Sequence, residues 1–198
     1  IDSPDPIIVS NGKITIVNAE DVDVTITKNA PSRDTASVIY YYSSFFDVNN
    51  GGTLILDAVS PGSLTLDGEQ HILDENGGAV YVNGGSFEMN EGVNITRFGY
   101  VGNMVINLGF WKIPLSNYDG SGIYVENGTF FMNGGNITEC QGDQGGAVYV
   151  SDECTFTMNG GLITQNGHWA QSGFISYDAS TGGAVFVEDG GLLIQNGG

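Results

Sequence analysis

The chain has 198 residues, enough for one domain with a sizeable core, and we expect a single domain over residues 1–198. Its 5 Lys and Arg residues against 23 Asp and Glu residues give a formal net charge of −18, which disfavours nucleic acid and anionic membrane surfaces as partners. The same acidic surplus favours solubility outside the cell, so we expect an extracellular or cell-surface location. The chain has no apolar run long enough to span a bilayer, so we expect no membrane insertion of this segment.

From residue 46 onward, a short phrase recurs along the chain. Phe46-Asp-Val48 is its weakest copy, and four regular copies follow: Gly77-Gly-Ala-Val-Tyr-Val82, Gly120-Ser-Gly-Ile-Tyr-Val125, Gly145-Gly-Ala-Val-Tyr-Val150 and Gly182-Gly-Ala-Val-Phe-Val187. The spacing between copies varies although the phrase does not. We therefore predict constant rungs joined by variable connections, in which glycines occupy the corners.

A second phrase follows each regular copy of the first, and a third phrase follows in the first three copies. The second phrases are Ser86-Phe-Glu-Met-Asn90, Thr129-Phe-Phe-Met-Asn133, Thr155-Phe-Thr-Met-Asn159 and Gly191-Leu-Leu-Ile-Gln195. The third phrases are Asn94-Ile-Thr96, Asn136-Ile-Thr138 and Leu162-Ile-Thr164. Three short strands per repeat predict an all-β fold, specifically a right-handed parallel β-helix (solenoid) with long loops on one edge.

Strand parity predicts which side chains face the interior. Alternate residues of a strand point to opposite faces, and one parity of the first strand is aliphatic in every copy. We expect an interior row of Val82, Val125, Val150 and Val187 and a second interior row of Phe87, Phe130 and Phe156. The opposite parity predicts an outer aromatic row of Tyr81, Tyr124, Tyr149 and Phe186.

Two long connections after the third strand contain both tryptophans of the chain. We predict that they leave the same corner and lie side by side across the short connection 139–144, where aromatic rings could stack on a sugar. The candidate glycan-binding residues are Phe110, Trp111, Tyr118, Asp119, His168, Trp169, Tyr177 and Asp178. An alternative interpretation is that these rings cover the outer aromatic row as a hydrophobic cluster. Residues 103–108 are also compatible with an extra strand.

Catalytic and metal-binding chemistry is weakly indicated. A uronate lyase needs clustered cations, and the five basic residues form no cluster by repeat position. Two carboxylates suffice for neutral-glycan hydrolysis, and Asp119, Glu139, Asp143 and Asp178 fall on one predicted edge, although a solvated acidic face is the simpler explanation. The acidic surplus would attract Ca²⁺, but no recognised calcium loop is present, so we assign no metal site, no catalytic residue and no cofactor.

The repeated phrases resemble the tandem repeats of adhesin-like, pectate-lyase-type right-handed parallel β-helix proteins of microbial cell surfaces. The resemblance covers about residues 46–198, and it implies that residues 1–45, with Lys13-Ile-Thr-Ile16 and Asp23-Val-Thr-Ile26, are entry strands and a cap. It implies an adhesin-like module that binds a glycan or cell-surface polysaccharide. A polysaccharide lyase or glycosidase on the same fold is the alternative, and a structural subunit that stacks end to end is the second alternative.

Three smaller features complete the sequence-based expectations. The chain stops before the third strand of its last repeat, so we expect a fragment of a longer surface protein or a subunit covered by a neighbour. Cys140 and Cys154 fall at different corners of successive rungs, which predicts two free thiols. The Asn-x-Thr sequons at Asn94, Asn127 and Asn136 are expected to serve turns and strand edges rather than N-glycosylation.

Overall fold

The computed structural model describes residues 5–27, 44–69, 78–99, 105–107, 112–114, 122–142, 144–167 and 183–198. These residues contain β-strands and no helix, as expected. In chain order the strands are β1 (Ile7–Ser10), β2 (Lys13–Val17), β3 (Val24–Thr27), β4 (Phe46–Asn49), β5 (Thr53–Asp57), β6 (Leu64–Asp67), β7 (Val80–Met89), β8 (Val93–Thr96), β9 (Val105–Asn107), β10 (Lys112–Pro114), β11 (Ile123–Met132), β12 (Asn136–Thr138), β13 (Val148–Val150), β14 (Thr155–Met158), β15 (Leu162–Thr164), β16 (Val185–Val187) and β17 (Leu192–Gln195).

The strands form parallel columns, apart from one antiparallel pair, β9 with β10. The first column runs β1-β4-β7-β11-β13-β16 and the second runs β2-β5-β7-β11-β14-β17, because the long strands β7 and β11 belong to both. The third column runs β3-β6-β8-β12-β15. The entry strands β1, β2 and β3 pair with β4, β5 and β6 and thus extend all three columns.

The first column confirms the predicted aliphatic row. Val82 pairs with Val125, Val125 with Val150 and Val150 with Val187, while Val48 pairs with Val82. All of these valines are buried except Val187, which is half-buried. β-Branched side chains are stiff and pack well on a pleated surface, which suits valine to this row.

The second column is packed with aromatic rings. Phe87, Phe130 and Phe156 are fully buried, and their rings stack nearly parallel, with centroids 5.0 Å apart for the first pair and 4.7 Å for the second. This spacing follows directly from the distance between neighbouring strands. In the third column Ile95 and Ile137 are buried and pair in register with each other and with the half-buried Ile163.

The corners between columns repeat the same backbone conformation. Arg97, Glu139 and Gln165, each directly after a third-column strand, have φ angles of 57°, 56° and 57°. Gly135 lies at the corner before the third column with φ of 80°, and a Cβ there would collide with the carbonyl oxygen of Val93 on the neighbouring strand. A glycine is needed at that position for both its conformation and its lack of a side chain.

Polar ladders run along the corners and the outer face of the third column. The side chain of Asn133 donates to Asn90, Asn159 donates to Asn133 and Asn196 donates to Asn159, at 3.0, 2.9 and 2.8 Å. Stacked amides of this kind satisfy one another at the strand spacing. Together with the apolar core, these hydrogen bonds fix the register of neighbouring strands.

Both cysteines are buried free thiols, as predicted from their positions at different corners. Burial raises the pKa of the Cys140 thiol to about 12, and it also raises the pKa of Cys154. Each thiol therefore behaves as a small apolar group. Within the described ranges, no helix is long and apolar enough to cross a membrane.

Candidate functional site

All eight predicted glycan-binding residues lie outside the described residues. They are Phe110, Trp111, Tyr118, Asp119, His168, Trp169, Tyr177 and Asp178. The structure does describe the residues at which the two long connections leave the sheets and return to them. Within the first connection it also describes the antiparallel pair β9 and β10, and Phe110 and Trp111 fall between these strands in the sequence.

The two connections leave from strands that are close neighbours. β8 and β15 lie on either side of β12, with Thr96, Thr138 and Thr164 in register. The pairing continues beyond the strands: the amide of Gln141 donates to the carbonyl of Phe98 at 2.9 Å, and the amide of Gly167 donates to the carbonyl of Cys140 at 3.0 Å. Two steps of about 4.8 Å place the departure points about 10 Å apart.

The return points are equally close. The amide of Ile123 donates to the carbonyl of Ala147 at 2.8 Å, and the amide of Gly146 donates to the carbonyl of Gly183 at 3.1 Å. Residues 122 and 183 therefore lie on either side of residues 146–147, which directly precede β13. The first tryptophan-containing connection runs from β8 to β11 and the second from β15 to β16. At each end the two connections are separated by one strand, β12 where they leave and β13 where they return.

The predicted outer aromatic row is present beside these return points. The rings of Tyr81, Tyr124, Tyr149 and Phe186 follow one another with centroid separations of 5.6, 4.7 and 5.3 Å. They lie on the opposite parity from the valine row. Tyr81 and Tyr149 are only 9% and 4% exposed, whereas Tyr124 and Phe186 are half-buried, so the row is less open to solvent than parity alone suggests.

Carboxylates hold the hydroxyl groups of two tyrosines in this row. The Tyr81 hydroxyl donates to Glu126, and the Tyr149 hydroxyl donates to Glu188 at 2.5 Å. Glu188 also accepts the backbone amide of Asp152 at 3.0 Å. Burial, reinforced by the hydrogen bond to Glu126, raises the pKa of Tyr81, so this hydroxyl remains a donor at any physiological pH.

Asp47 occupies the aromatic row at the position before Tyr81. It pairs with Tyr81 in the register of β4 and β7, and its Oδ1 atom is buried without a hydrogen-bond partner. Burial raises the pKa of this carboxyl, and the side chain of Asn49 partly offsets the effect. Sequence reasoning missed this residue, although the alignment of Phe46-Asp-Val48 with Val80-Tyr-Val82 already placed an acid where the other copies have a ring.

The described basic and acidic residues provide little further chemistry. Arg97 donates two hydrogen bonds to Asp67, one of them from Nε to Oδ1 at 2.8 Å. Of the four acids considered for hydrolysis, Glu139 is described and is exposed, while Asp119, Asp143 and Asp178 lie outside the described ranges. No group of three or more His, Cys, Asp or Glu side chains suited to a metal ion occurs among the residues described.

Comparison with known proteins gives no relative from which a role could be transferred. No family model, no curated protein and no solved structure matches the chain. The functional argument therefore rests on this chain's own residues.

Proposed function

We propose that the chain is an adhesin-like, extracellular or cell-surface module with a right-handed parallel β-helix fold that binds glycans through its two aromatic connections. The fold proposal is supported by the order in which the chain visits the columns. Successive strands lie in the first, second and third columns before the chain returns to the first, and parallel crossovers are right-handed in nearly all proteins.

The glycan-binding proposal rests on one observation, that the two aromatic connections are attached to closely neighbouring strands at both ends. Their departure points and return points lie on next-but-one strands of parallel columns. Trp111 and Trp169 belong to connections that begin and end at these neighbouring points, which supports the proposal that the two rings share one edge of the fold. Aromatic rings give large contact area at low conformational cost, and sugar C–H faces pack on them as other apolar groups do.

The charge of the chain selects the class of glycan. A net charge of −18 repels uronates and sialylated sugars, whereas carboxylates accept hydrogen bonds from neutral hydroxyl groups. Neutral polysaccharides and oligosaccharides are the expected ligands, and no metal or cofactor is required for stacking on aromatic rings.

A glycan-array screen of the folded protein tests this proposal, with Trp111→Ala, Trp169→Ala and Phe131→Ala analysed in parallel. Phe131 is a matched aromatic control because it is 36% exposed on β11 in the second column, whereas the connections leave after the third column and return before the first. Binding of neutral glycans that is lost in both tryptophan variants and retained in Phe131→Ala supports the proposal. Loss of thermal stability in both tryptophan variants, with no glycan bound by the parent, would favour the alternative in which these rings cover the outer aromatic row as a hydrophobic cluster.

End-to-end association between copies is a second candidate role, supported by the strands that pair on one side only. Among the described residues, β15, β16 and β17 each have one neighbouring strand, and the side chains of Leu162, Leu192 and Leu193 are exposed. Unpaired strands with apolar side chains are templates for further pairing. Sedimentation velocity over a concentration series should show association that Leu193→Lys weakens, and a monomer at every concentration rules this role out.

A further inference from the structure

The three Asn-x-Thr sequons occupy different structural environments. Asn94 lies in β8 and Asn136 in the neighbouring strand β12, whereas Asn127 lies in the middle of β11, between the parts that belong to the first and second columns. The sequence alone gives all three the same expectation, that the Asn side chain is occupied by a structural role. The structure separates them.

Asn94 and Asn136 are members of a polar ladder. The Nδ2 atom of Asn136 donates to Oδ1 of Asn94 at 2.8 Å, and Nδ2 of Asn94 faces the hydroxyl of Thr65 at 3.4 Å. Both side chains are half-buried between strands that are in register. A sugar on either Nδ2 atom would replace one of its two N–H groups and would need space that the adjacent in-register strand occupies.

Asn127 has neither constraint. It is exposed, and its side chain makes no hydrogen bond within the part of the chain that the structure describes. The pairing of β7 with β11 shifts register on both sides of Asn127, which itself pairs with Asn83, because Glu126 and Gly84 are extra residues on their respective strands. Bulges of this kind re-aim the local side chains, and the Asn127 side chain here is exposed to solvent.

We propose that Asn127 is a carbohydrate attachment site, the one sequon among the three whose amide carries an N-linked oligosaccharide in the folded protein. Thr129, the hydroxyl residue of this sequon, is half-buried and donates to Ser86 at 3.2 Å, so it stays in the fold while Asn127 points to solvent. The site lies between the first and second columns, whereas the proposed glycan-binding connections leave after the third column. An attached sugar and a bound sugar are therefore separate events.

The chemistry is transfer of an oligosaccharide from a lipid-linked diphosphate donor by an oligosaccharyltransferase. The Nδ2 atom of Asn127 attacks C1 of the donor sugar, the bond between C1 and the diphosphate oxygen breaks, and the amide nitrogen loses one proton. The lipid diphosphate is the leaving group, so no oxidant or reductant is involved.

The test is secretion of the chain from a host cell that performs N-glycosylation, followed by peptide mapping of the monomeric, folded fraction by mass spectrometry. The expected result is one glycan, at Asn127, with Asn94 and Asn136 unmodified. Asn127→Gln should remove the glycan from the folded fraction, and Thr129→Ser should retain it because the sequon and the hydroxyl facing Ser86 are both kept.

A second variant covers the case in which sugars added at Asn94 or Asn136 before folding prevent secretion. Thr96→Val with Thr138→Val removes both of those sequons and replaces a pair of hydroxyls that bond each other at 3.2 Å by groups of the same shape. The folded monomer of this variant should carry one glycan at Asn127. An unmodified Asn127 in this variant, or a glycan on Asn94 or Asn136 in the folded parent, would overturn the proposal.

Discussion

Asp47 lies beside Tyr81 in the parallel pairing of β4 with β7, and one oxygen of its carboxyl is buried without a partner. Burial raises the pKa of this carboxyl, because the folded environment disfavours the carboxylate relative to the unfolded chain. Its contribution to stability is therefore fully present below the unfolded-state pKa and is lost as pH rises through the raised folded-state pKa.

Asp47→Asn should stabilise the protein at pH 7 and have no effect near pH 3, where the parent carboxyl is protonated in both states. The gain should be about 1 kcal/mol or less because the carboxyl is only partly removed from solvent. Urea unfolding at the two pH values measures it. Glu20→Gln is the matched control: it removes the same charge from an exposed site, so an equal gain there would assign the effect to the net charge of −18 instead of to burial.

Val150→Asp should abolish folding, because Val150 is fully buried between Val125 and Val187 and an unpaired carboxylate cannot be accommodated there. The cost should exceed about 4 kcal/mol. Phe131→Asp makes the same kind of change at an exposed position of β11 and should remain folded. Circular dichroism and size-exclusion chromatography distinguish the two variants. A folded Val150→Asp protein would contradict the burial of this row of valines.

Gly135→Ala should destabilise the protein much more than Gly51→Ala. Both glycines have left-handed φ angles, 80° and 75°, so alanine meets a similar backbone penalty of about 1 kcal/mol at either site. Only at Gly135 does the new Cβ collide with a neighbouring carbonyl, whereas no atom lies within 4 Å of it at Gly51. An additional loss of about 2 kcal/mol is expected at Gly135. Equal losses in denaturant unfolding would contradict the close approach of the strands at that corner.

The two thiols should react only when the fold opens. Burial raises the pKa of Cys140 to about 12 and removes it from solvent, so a disulfide reagent at pH 8 should label the native chain slowly. In denaturant, without reductant, two thiols per chain should be titrated. Finding no free thiol there would mean that the cysteines are bridged.

The core of the fold could be predicted from the sequence because the alternation of residues within each repeated phrase shows which side chains face the interior. The in-register partners Val82, Val125 and Val150 each follow a Gly corner and precede a Phe by five or six residues, so an alignment of the phrases also aligns the strands. The weak copy at Phe46 was aligned with Val80 in the same way, and the structure pairs these two residues.

Other features depended on contacts that the alignment does not contain. The burial of Tyr81 and Tyr149 on the outer parity follows from stacking with neighbouring rings and from hydrogen bonds to Glu126 and Glu188, which alternation does not report. The distinction between Asn127 and the other two sequon asparagines depends on burial and on the hydrogen bond between Asn136 and Asn94, neither of which the shared Asn-x-Thr pattern contains. The predicted loop residues lie outside the described residues, so their role stays a prediction.

The proposal that Trp111 and Trp169 form one glycan-binding surface is tested most directly by a double-mutant cycle. Calorimetric titration of a neutral oligosaccharide identified on the array should be carried out on the parent, Trp111→Ala, Trp169→Ala and the double variant. If both rings stack on the same ligand, each single change should weaken binding at least about tenfold, and the double variant should lose less than the sum of the two free-energy changes. Unchanged affinity in both single variants would contradict the account.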